Sequence, residues 1–76
     1  MILCIHEEAV DNKTNDYRKV VLQADTADEA AALPTTGEGI TDLADAVTLY
    51  PSSVCKCVAD GSVYVLAGDN TWHKQS

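Results

Sequence analysis

The chain has 76 residues, a formal net charge of −7 and a pI near 4.3. That length makes one small domain, 1–76, with no linker dividing it. Its acidity argues against direct nucleic-acid binding and against adsorption to an anionic membrane, because both need clustered cations.

The charge is unevenly placed. No Lys or Arg occurs from Val20 to Cys55, while Asp25, Asp28, Glu29, Glu38, Asp42 and Asp45 all fall inside that stretch. The apolar fraction of 46% is rich in alanine and has no Phe, which leaves few large side chains for a core. A chain this short buries only ~60% of its unfolded surface. Self-association or docking on a larger assembly is therefore expected to complete it. Ile2-Leu3-Cys4-Ile5 is too short for a signal segment or a membrane span. The expectation is a soluble protein made in a cytoplasm. Three cysteines do not form the even framework of a secreted disulfide domain, so reduced thiols are expected.

In chain order, Ile2 to Val10 reads as a first strand and Tyr17 to Ala24 as a second. The polar cluster Asp11-Asn12-Lys13-Thr14-Asn15-Asp16 between them reads as a turn. Asp25 or Thr26 can cap a short helix over Ala27 to Leu33, which Pro34 ends. Thr35 to Gly39 reads as a flexible loop. Thr41 can cap a second short turn over Asp42 to Ala46. Pro51-Ser52 leads into a C-terminal meander. Its strands are joined by Asp60-Gly61 and Gly68-Asp69-Asn70, and Val63-Tyr64-Val65-Leu66 is its β-branched and aromatic centre. The predicted class is mainly β: a small curled antiparallel sheet or partial barrel, ordered β-β, a short helical or irregular segment, then β-β-β.

The chemistry-bearing residues are few. Cys4-x-His6 and Cys55-x-Cys57 would each put two metal ligands on one face of a strand, and together they would make a Cys3His set. The spacing is not that of a zinc knuckle or ribbon, and free cysteines commonly act as small core residues, so no metal or other cofactor is expected. The thiols have no activating partner nearby in sequence, so no enzyme activity is expected. Gly37-Glu38-Gly39 places an acid where a phosphate cradle needs amides and a Lys. Asp42 and Asp45 are candidates for contact with a basic partner. Tyr64 and Trp72 either anchor the small sheet across strands or present an aromatic anchor to a partner.

The run Pro51-Ser52-Ser53-Val54, Asp60-Gly61, Val63-Tyr64-Val65-Leu66, a Gly-Asp-Asn turn and Thr71-Trp72-His73-Lys74 resembles the C-terminal half of small tailed-phage virion proteins of the head-fibre-like kind. Leu33-Pro34-Thr35-Thr36-Gly37 is similar to the loop that precedes it there. The resemblance covers roughly the last two thirds of the chain. It implies a non-enzymatic virion accessory protein, found in the virion, that docks on capsid or other virion proteins or forms a homo-oligomer. The chain has no shaft, heptads or repeats, so a capsid decoration or fibre-base role is implied over a long appendage. The acidic middle supports a different expectation: a counter-defence or DNA-mimic protein that binds a host protein or sequesters a ligand.

Overall fold

The computed structural model of the chain describes residues 1–10 and 17–76, so the polar cluster expected as a turn at 11–16 lies outside the described residues. The fold is mainly β, as expected. One sheet carries β1 (Ile2–Ala9), β2 (Tyr17–Ala24), β3 (Ile40–Thr41), β4 (Thr48–Leu49), β5 (Val54–Cys57), β6 (Val63–Leu66) and β7 (Trp72–Lys74), with one helix, α1 (Ala27–Ala31).

Two antiparallel units make up the sheet, and a parallel seam joins them. β1 pairs with β2, and β5, β6 and β7 form the expected meander. Between these units, β2 runs parallel to both β4 and β5, and β3 runs parallel to β1. The sheet is therefore mixed and open, with order β3-β1-β2-β5-β6-β7. Parallel neighbours cannot be joined by a tight turn and need a crossover. Residues 25–53 are that crossover, so the acidic middle of the chain becomes the layer covering one face of the sheet.

The helix is capped as the sequence predicts and is shorter than expected. Thr26 is the N-cap. Its hydroxyl accepts the Glu29 amide at 3.2 Å, and the Glu29 carboxylate accepts the Thr26 amide at 3.2 Å. Ala32 already leaves helical geometry, because Pro34 pushes Leu33 away from it. Over Asp42–Ala46 the chain makes non-helical turns, with the Val47 amide donating to the Ala44 carbonyl at 3.2 Å. Thr41 belongs to β3, and Asp42 has φ 67°, which a right-handed helix excludes. The Thr35–Gly39 segment is a loop, as expected, and Gly37 alone within it is buried. The Gly37 amide donates to the Val47 carbonyl at 2.8 Å, and a Cβ on Gly37 would lie 1.9 Å from the Ala44 carbonyl oxygen.

β2 alternates strictly, with Val20, Leu22 and Ala24 buried. They meet Cys55, Cys57 and Leu66 from the meander, and Ala30, Ile40, Leu43, Val47 and Leu49 from the crossover. Ser53 is fully buried where β4 gives way to β5 alongside β2. Its hydroxyl accepts the Val20 amide at 3.1 Å and donates to the Tyr50 carbonyl at 2.7 Å. It thereby supplies the ladder partner that the break between the two strands removes.

Candidate functional site

Cross-strand partners point to the same side of a sheet, so the pairing registers assign every strand residue to a face. Cys55 and Tyr64 share the covered face with Leu22, and Cys57 shares it with Ala24. The opposite face carries a row running from His6 through Val21, Val54 and Val65 to His73, across five strands. A second row holds Leu3, Gln23, Lys56 and Val63. Leu3, Val21, Val54, Val63 and Val65 are all half-buried, yet none packs against the core, which places them together on an uncovered apolar surface. Among the described strand residues, the charged side chains on this face are Glu8, Lys19 and Lys56. Sequence reasoning missed this surface. Its signal was Val21 in β2, Val54 in β5 and the alternating Val63 and Val65 of β6, which read as core until the covered face is known.

The expected cysteine–histidine set does not converge. The register of β1 shifts between Cys4 and His6, leaving Ile5 as a bulge, so Cys4 faces Leu22 and the core while His6 faces Val21 on the open side. Cys55 and Cys57 are buried on the covered face, and His6 is exposed. Among the described residues, no group of three or more His, Cys, Asp or Glu side chains is placed to hold a metal ion. Burial pushes the Cys55 thiol up to about 11, and burial together with the nearby Glu7 charge raises that of Cys4. Both are held as neutral thiols.

Tyr64 and Trp72 lie on the covered face in adjacent strands, Tyr64 opposite Lys74 and Trp72 opposite Leu66. Both are half-buried against the core. The Trp72 indole donates to the Pro34 carbonyl at 2.9 Å, tying β7 to the crossover. Asp42 and Asp45 stand exposed on the crossover with Asp25, Asp28 and Glu38, and Asp42 directly follows Thr41, the edge-strand partner of Leu3. Asp25 and Glu29 also pair with the amino group of Met1.

Two further arrangements were not foreseen. A cleft of about 320 Å³ lies beside the loop-proximal end of the paired strands β1 and β2, lined by Glu8, Ala9, Val10, Lys19, Tyr50, Pro51 and Ser52. Next to it, Tyr17 and Tyr50 meet edge to face with ring centres 6.2 Å apart. At the β6–β7 turn, Asp69 accepts the Thr71 amide at 3.1 Å and the Thr71 hydroxyl at 2.7 Å. With its proton directed at Asp69, that hydroxyl accepts from His73 Nε2, 2.8 Å away. The ring is then a donor and not a base toward Thr71, so this is a turn cap without the polarity of a nucleophile pair.

Comparison with protein-family models, curated proteins and solved structures finds no match to this chain.

Proposed function

We propose that this chain is a non-enzymatic virion accessory protein of a tailed phage, a capsid decoration or head-fibre-like component that works by docking. The observation that carries the docking part is the single-layered sheet, with the crossover on one face and an uncovered valine surface on the other. A contiguous apolar patch of this kind is the usual mark of a protein–protein contact. The resemblance of the C-terminal meander supplies the virion part. Mass spectrometry of purified particles from the producing phage tests the reading. It expects the chain in the particle at many copies. Absence from particles, with abundance in infected cells, would overturn it.

A second reading rests on a separate observation. Asp25, Asp28, Asp42 and Asp45 are all exposed on the crossover layer, with no Lys or Arg in that segment. An acidic counter-defence or DNA-mimic protein would meet a basic host protein there, by electrostatic complementarity. Replacing these four residues by Asn would abolish such binding, and binding that survived would remove charge mimicry as the mechanism.

A further inference from the structure

We propose that the occupant of the open face is a second copy of this chain, packed sheet against sheet into a β-sandwich with both acidic crossovers facing outward. This rests on the docking reading above and names its partner. The dimensions fit. Six strands abreast at ~4.8 Å spacing span about 24 Å, matching the middle dimension of a molecule measuring 38 × 23 × 16 Å. The thin dimension accommodates the sheet plus one covering layer. The strands, from eight residues long in β1 and β2 down to two in β3 and β4, outline on the order of 500 Å² of open sheet at ~3.3 Å per residue and ~4.8 Å per strand, so two facing copies reach the ~1,000 Å² total that a specific interface needs.

The charges fit as well. A chain carrying −7 repels its own copies over most of its surface. Its open face, however, holds two lysines and one glutamate among the described strand residues, while the acids of the crossover lie behind the sheet. Face-to-face pairing therefore places the near-neutral surfaces together and the acidic layers farthest apart. The row Val21, Val54 and Val65 would interdigitate with its copy across ~10 Å, as inner faces of sandwiches do. A basic partner would instead choose the crossover side.

Sedimentation equilibrium of the full chain, from low to high micromolar concentration, tests this. The expected mass is twice the 8.1 kDa of the chain. Val54→Lys and Val65→Lys should each weaken self-association by about tenfold or more, as central interface positions do. Asp45→Asn, on the other side, should leave it unchanged. Circular dichroism checks that each variant is folded. Amine cross-linking of a mixture of heavy- and normal-isotope wild-type chains needs no variant, and it should yield intermolecular links through Lys56 and Lys19. Wild-type protein that stays monomeric throughout, or folded lysine variants that still dimerise fully, would overturn the proposal. A monomer found in particles would remove the second copy and keep the docking reading. A dimer absent from particles would do the reverse.

Discussion

Ser53 shows how a single hydroxyl can stand in for a stretch of strand. β4 pairs with Tyr17 and Arg18, β5 begins opposite Val21, and the Val20 amide falls between them. With the Ser53 hydroxyl removed, that buried amide has no partner. Ser53→Ala should therefore lower stability by ~1–3 kcal/mol, the cost of an orphaned buried donor. Urea denaturation of the variant measures it. Cys55 makes a different kind of prediction. Its folded pKa, about 11, lies above the ordinary value of 9.0 because burial disfavours the thiolate. Its contribution to stability is thus complete below pH 9 and is lost as pH rises toward 11. The urea midpoint should fall across that window, and Cys55→Ser should flatten the fall. A thiol reagent at neutral pH should label half-buried Cys4 well before Cys55 and Cys57.

At the scale of elements, the crossover loop is held by a close backbone approach at Gly37. Gly37→Ala would drive a methyl group into the Ala44 carbonyl and should cost ~1–3 kcal/mol or more. Gly68→Ala, with open space around it, is the control that should change little by the same denaturation assay. This contrast also shows what the sequence could and could not reveal. The meander was legible because turn chemistry is local. Asp60-Gly61 turns with Gly61 at φ 75°, and Asn70 takes φ 65° at the next turn. The Thr26 cap was legible for the same reason. The parallel pairing of β2 with β5 was not, because it joins segments some thirty residues apart and no short-range signal chooses parallel over antiparallel. The bulge at Ile5 was not legible either. It puts Cys4 and His6 on opposite faces, and β2, lying between β1 and β5, separates both from Cys55 and Cys57. The candidate surface was hidden by the same ambiguity: half-buried valines on an open face look like core in a list of apolar residues.

For the whole molecule, the question is how a chain of net charge −7 with so small a core holds together. Its exposed acids are concentrated on the crossover, which is also the layer that must stay pressed onto the sheet. Asp28, Glu38, Asp42 and Asp45 are all exposed in that layer, where repulsion among them would be screened by salt over roughly 8 Å at physiological ionic strength. Raising sodium chloride from low to near-molar should therefore raise the urea midpoint. Replacing Asp28 and Asp45 by Asn should raise it at low salt and erase most of the salt dependence. Asp42 is the informative exception. Its positive φ is one that Asn tolerates and Ala does not, so Asp42→Asn should behave like the other two while Asp42→Ala destabilises at every salt concentration. If midpoints instead fall as salt rises, attraction and not repulsion dominates the layer, and the acids belong to its fold. If they rise as expected, the acids cost the free chain stability, and the face-to-face dimer, which leaves both acidic layers in solvent, is the arrangement that adds apolar burial without adding to that cost.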